Sequence, residues 1–110
     1  MAIRSNLFID QGADHEFTFN VTDDDDLPID LTGYTGAAQF RKHYSSSNST
    51  AFTVELDANN GIVTLKLDAA TSANTPYGRY VYDCKITSGA NLTTRIVEGI
   101  VTVRPQATRP

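Results

Sequence analysis

Pro28-Ile29-Asp30-Leu31-Thr32-Gly33-Tyr34 separates two alternating runs, and its reading decides the fold. Before it stand Phe17-Thr18-Phe19-Asn20-Val21 and the acidic run Asp23-Asp24-Asp25-Asp26; after it stands Ala38-Gln39-Phe40-Arg41-Lys42. Polar residues and a glycine between two period-two runs mark a corner between strands. Leu31 and Tyr34 are the apolar anchors of that corner, and Gly33 supplies the freedom to bend. The segment is fold-defining punctuation with no chemistry attached.

The same grammar continues outward. Leu7 and Ile9 form a short first strand closed by Asp10-Gln11-Gly12. Phe17, Phe19 and Val21 point one way, against Glu16, Thr18 and Asn20. Ala38 and Phe40 are the inward set of the next strand, followed by Phe52, Val54 and Leu56. Asp57-Ala58-Asn59-Asn60-Gly61 reads as a hairpin turn leading to Val63, Leu65 and Leu67. Asp68-Ala69-Ala70-Thr71-Ser72-Ala73-Asn74 breaks the alternation. Asp68 is placed to cap one helical turn near 68–74, ended by Pro76 and Gly78. Two strands close the chain, Tyr80 to Ile86 and Thr94 to Val103, joined by Ser88-Gly89-Ala90-Asn91. In the last one Ile96 and Ile100 compete with Val97, Val101 and Val103. That implies either a central strand or a bulge at Gly99.

About seven strands, short turns and no long helix predict an all-β fold, a single antiparallel β-sandwich of immunoglobulin-like architecture over residues 1–104. The cysteine pair and core tryptophan of antibody domains are absent. Residues 105–110, with prolines and no alternation, read as an extended C-terminal tail. Tyr44-Ser45-Ser46-Ser47-Asn48-Ser49-Thr50 reads as a polar loop between strands.

The chain's 110 residues suffice for one core and not for two. At 40% hydrophobic and 20% charged residues the composition is that of an ordinary globular protein. A formal net charge of -4 argues against a nucleic-acid partner, and Arg41-Lys42-His43 is the densest basic stretch. No apolar run reaches the roughly 20 residues that span a membrane, and Met1 to Asn6 lacks the pattern of a secretory signal.

Catalytic and metal chemistry find no constellation. The consecutive carboxylates Asp23 to Asp26 lack the spaced ligands, central glycine and distal glutamate of a calcium loop, and read as a solvated turn. His15 and His43 show no metal-binding spacing, and the serines lack a nucleophile elbow. Cys84 is the single cysteine. Alternation puts it on the face of Tyr80, Tyr82 and Ile86, as a buried thiol. No enzyme activity and no cofactor are expected. Tyr44 and Tyr77, beside loops, either stack on a sugar, anchor a protein contact or pack at a sheet edge. With Arg104 they are the candidate interface residues.

Ile9-Asp10-Gln11-Gly12-Ala13-Asp14, Phe17-Thr18-Phe19, Leu27 to Tyr34 and Ala38 to Lys42, in that order, resemble the amino-terminal β-domain of tailed-bacteriophage baseplate upper proteins and related virion proteins. Gly61-Ile62-Val63-Thr64-Leu65, Gly78 to Asp83 and Glu98 to Val103 continue the resemblance, which runs from Phe8 to Val103. It implies a non-enzymatic virion structural protein. Such a subunit of tail, baseplate, neck or head docks to neighbouring virion proteins in multiple copies. It would be made in the host cytoplasm without a signal peptide. Longer baseplate proteins continue into helical and receptor-proximal regions, whereas this chain stops at Pro110, which fits a small accessory subunit. The alternative expectation is a stand-alone carbohydrate- or surface-binding module using Tyr44, Tyr77 and the serine-rich loop.

Overall fold

A computed structural model describes residues 3–22 and 27–107. Its strands are β1 (Ile3–Arg4), β2 (Leu7–Asp10), β3 (His15–Asn20), β4 (Thr35–Arg41), β5 (Thr50–Asp57), β6 (Ile62–Leu67), β7 (Gly78–Thr87) and β8 (Thr93–Arg104), with one helix, α1 (Ala69–Ala73), between β6 and β7. The chain is all-β, as its alternation predicts. The strand order is β1-β8-β7-β4-β5-β6-β3, with β2 also on β8.

The expected immunoglobulin-like sandwich of seven antiparallel strands is corrected on two points. First, the sheet is mixed: β1 and β2 run parallel to β8, with Ile3 opposite Val97 and Leu7 opposite Val101. Second, one eight-stranded sheet curls into a half-barrel instead of splitting into two separate sheets. The physical reason lies in β5. Thr50 to Phe52 pair with β4, whereas Thr53 to Asp57 pair with β6, so one strand carries the sheet around the corner. Strong twist lets a single strand change neighbours in this way.

The inner face carries the core. Ile9, Val63, Leu65, Cys84, Val97 and Val101 are inaccessible to solvent, and Phe40, Leu31 and Tyr82 nearly so. Phe52 joins the two halves of the curl, its ring meeting those of Phe17, Phe40 and Tyr82 edge-on or tilted. Such offset geometries suit the aromatic quadrupole.

The corner from Pro28 to Tyr34 is built as its sequence implies. Tyr34 N–H donates to the Leu31 carbonyl at 2.9 Å, and Gly33 sits at φ 81°. A turn with positive φ at its third residue selects glycine there. The Asp30 carboxylate accepts from both the backbone and the hydroxyl of Thr32, at 2.9 and 2.6 Å, fixing the entry to the turn. Leu31 N–H donates to the Ala58 carbonyl, tying the corner to the β5–β6 turn. Leu31 itself is buried and Tyr34 half-buried in the core.

Asp68 caps α1, its carboxylate accepting from Thr71 N–H at 2.7 Å. The buried Ser72 hydroxyl accepts from Gly12 N–H and reaches the Ala13 carbonyl, fastening α1 to the β2–β3 turn. β8 is a central strand, and its irregularity is not at Gly99. Register slips between Cys84 and Lys85, whose partners are Val97 and Arg95, leaving Ile96 as the extra residue. That insertion buries both Ile96 and Val97, which explains the two competing apolar faces. Gly99 answers a different need. A Cβ there would lie 2.1 Å from the Ser5 carbonyl, where the N-terminal segment passes between β1 and β2.

Candidate interaction surface

Tyr44 and Tyr77 flank two paired strands. β4 and β7 are antiparallel neighbours whose last pair is Arg41 opposite Val81. Tyr44 follows the end of β4 and lines a hollow on the outer face with Gln39, Val81, Asp83, Lys85 and Arg95, whereas Tyr77 immediately precedes the start of β7. They are 64% and 67% exposed, so most of each side chain is open to solvent. Exposed aromatics on a fixed frame offer contact area at low entropic cost.

A groove of about 500 Å³ opens between residues 46–50 and 74–76, with Phe40, Lys42 and Tyr80 along it. Its walls are held in place. The Arg41 guanidinium donates to the Ser46 carbonyl at 2.8 Å and to Gln39 Oε1 at 2.9 Å. His43 N–H donates to the Ser46 hydroxyl at 3.0 Å. The serine-rich loop is therefore organised by its own strand. On the other wall the Tyr80 hydroxyl donates to the Pro76 carbonyl at 2.6 Å, while Lys42 Nζ lies 5.1 Å from the Tyr80 ring centre. Burial raises the Tyr80 phenol above its ordinary pKa, so it stays a neutral donor.

Arg104, the third candidate, ends β8 beside the start of β7, since Gly78 pairs with Val103. Its side chain is already engaged. It donates to both Asp10 oxygens, at 2.7 and 3.2 Å, and lies over the Phe8 ring at 5.4 Å. Arg104 thus positions Phe8, which is 54% exposed on the outer face of β2. Phe8 was not among the sequence candidates. Its signal was available, because it lies out of phase with the buried Leu7 and Ile9. Beyond β8, Gln106 N–H donates to Gln11 Oε1 at 3.2 Å.

The other sequence candidates stay apart. His15 opens β3, where its Nε2 accepts from Asp10 N–H at 2.9 Å and its ring stacks on Phe17. His43 stands in the loop after β4, away from it. Cys84 is fully buried. Burial pushes its thiol up to about 12, with Asp83 adding to the effect, so the thiolate is suppressed. Among the described residues no group of three or more His, Cys, Asp or Glu side chains could hold a metal ion. The calcium reading of Asp23 to Asp26 falls outside the described residues. No described helix is long and apolar enough to cross a membrane. In comparisons with known proteins, no protein-family model and no curated protein matches this chain.

Proposed function

We propose that this protein is a non-enzymatic structural subunit of a tailed-phage virion, docking to neighbouring virion proteins. The observation that carries the docking role is the exposure of two aromatic side chains, Tyr44 and Tyr77, that flank the paired strands β4 and β7. Aromatic anchors of this kind dominate protein contacts when they are desolvated by a partner. The ordered succession of corner, hairpin and strand segments supplies the virion part of the reading. In a particle, many copies of one modest contact add through multivalency.

The test is quantitative mass spectrometry of purified particles from cells that produce the chain. Stoichiometric copies per particle support the proposal, and trace or no copies overturn it. A second reading, a carbohydrate-binding module, is favoured by the groove whose wall is Ser46, Ser47, Asn48, Ser49 and Thr50. Hydroxyl and amide groups beside an aromatic suit a sugar's polar edge and apolar face. Binding of the isolated chain on a glycan array supports that reading. Silence on the array, with binding to tail or capsid proteins, rejects it.

A further inference from the structure

Charge is divided unequally between the two halves of the curled sheet. Strands β1, β2, β4, β7 and β8, with Lys42 just past β4, carry seven cations and three carboxylates among the described residues. The cations are Arg4, Arg41, Lys42, Arg79, Lys85, Arg95 and Arg104. Strands β3, β5 and β6, with their adjoining turns, carry six carboxylates and one cation, Lys66. The chain's net charge of -4 conceals this division. Much of the positive charge is uncompensated. Arg4, Lys42, Arg79 and Lys85 make no ion pair among the described residues, whereas Arg95 and Arg104 do. On the other half Lys66 pairs with Glu55 and is also attracted by Glu16 opposite it, leaving Asp14, Asp30, Asp57 and Asp68 without an ion pair among the described residues.

The basic half also has an apolar centre. Val81 and Ile100 face each other across β7 and β8 on the outer surface, both partly buried, and the exposed Phe8 lies opposite Thr102 on the next strand. An apolar centre bordered by Lys42 and Arg79 on one side and by the Arg95-bridged pair Asp83 and Glu98 on the other has the apolar core and polar rim of a protein–protein contact.

We infer that the occupant of this face is a second copy of the same chain, presenting its acidic β3–β5–β6 half. This rests on the docking role proposed above and names its partner. The argument is complementarity: the surface that matches the basic face is present on the molecule itself. Two different patches meeting make a heterologous contact, which propagates into a ring or a filament. Size permits it. The Cα extents of 45 × 28 × 22 Å provide faces larger than the ~800 Å² per partner of a stable interface. Association of this kind weakens as salt screens the opposed charges.

The test is sedimentation velocity of the full chain over a range of concentrations, at low and at high ionic strength, with two charge-reversed variants. One is Arg79→Glu with Lys85→Glu; the other is Glu16→Lys with Asp57→Lys. All four positions are exposed, and a melting temperature close to wild type certifies each variant as folded. Wild-type chain is expected to form concentration-dependent oligomers at low salt that dissociate at high salt. Each variant alone is expected to remain monomeric, and an equimolar mixture to regain association. A monomeric wild type under all conditions overturns the inference. So do variants that self-associate like wild type, or a mixture that stays monomeric. Such failures leave the virion reading standing if mass spectrometry finds the chain in particles; its absence there fails that reading separately.

Discussion

The Tyr82 hydroxyl, buried at the centre of β7, donates to the Ser5 carbonyl between β1 and β2, spanning the intervening strand β8. A buried phenol needs such a partner, and here the partner is the N-terminal segment. Tyr82→Phe keeps the ring and removes the bond. It should cost about 1 kcal/mol, read as a lower melting temperature, with faster amide exchange concentrated in β1 and β2. Unchanged exchange there would show that the bond does not hold the N-terminal strands.

Gly99 guards the same crossing. Gly99→Ala drives a methyl into the Ser5 carbonyl, which must move away from β8. Overpacking of this sort costs ~1–3 kcal/mol. Because both substitutions loosen one contact, the Gly99→Ala/Tyr82→Phe double variant should lose less than the sum of the singles. Strict additivity in a denaturant-melt cycle would contradict a shared mechanism.

At the corner, Leu31 and Gly33 should behave oppositely to their distance from the core. Leu31→Ala removes a side chain that is 1% exposed, and should cost ~2–5 kcal/mol. Gly33→Ala meets no atom within 4 Å, so its cost is only the left-handed backbone, about 1–2 kcal/mol. A Leu31→Ala protein with an unchanged melting temperature would refute the anchoring role.

Two buried acids predict alkaline lability. Burial raises the Cys84 thiol from 9.0 to about 12 and the Tyr82 phenol from 10.0 to about 12. The unfolded chain therefore releases these protons first. Their contribution is complete below the unfolded values and is lost as pH rises from 9.0 towards about 12. Melting temperature should fall across that window, and less steeply in Cys84→Ala once its lower baseline is subtracted. A thiol reagent should label Cys84 only in denaturant. At the acid end the signs reverse. The Arg104 side chain lowers Asp10, and side-chain hydrogen bonds from Thr32 and Thr71 lower Asp30 and Asp68. Their contributions are present above the ordinary carboxylate pKa and are lost as pH falls below it through the lowered values.

Local physics was legible in the residues, and long-range pairing was not. Alternation marked Phe17, Phe40, Val63 and Cys84 as inward-facing, and Asp68 announced its cap, because each depends on near neighbours. Nothing in Leu7-Phe8-Ile9 distinguishes a parallel partner from an antiparallel one, since the side-chain period is two in both. The two-residue β1 is too short to show any period. β5 gave no hint of changing partners between Phe52 and Thr53, and Ile96 became the bulge only through its register with β7. For the candidate surface, loop position singled out Tyr44 and Tyr77. The alternation of Leu7-Phe8-Ile9 already set Phe8 outward, but the basic outer face emerged only once β2, β7 and β8 were laid side by side.

The most direct measure of the docking role is incorporation of the chain into particles, quantified by mass spectrometry. Wild type should be compared with Tyr44→Ala/Tyr77→Ala. The account predicts stoichiometric wild-type chain and a loss of most copies of the variant, whose melting temperature stays near wild type because both tyrosines are exposed. Particles lacking the wild-type chain, or carrying the folded variant at wild-type levels, would contradict it.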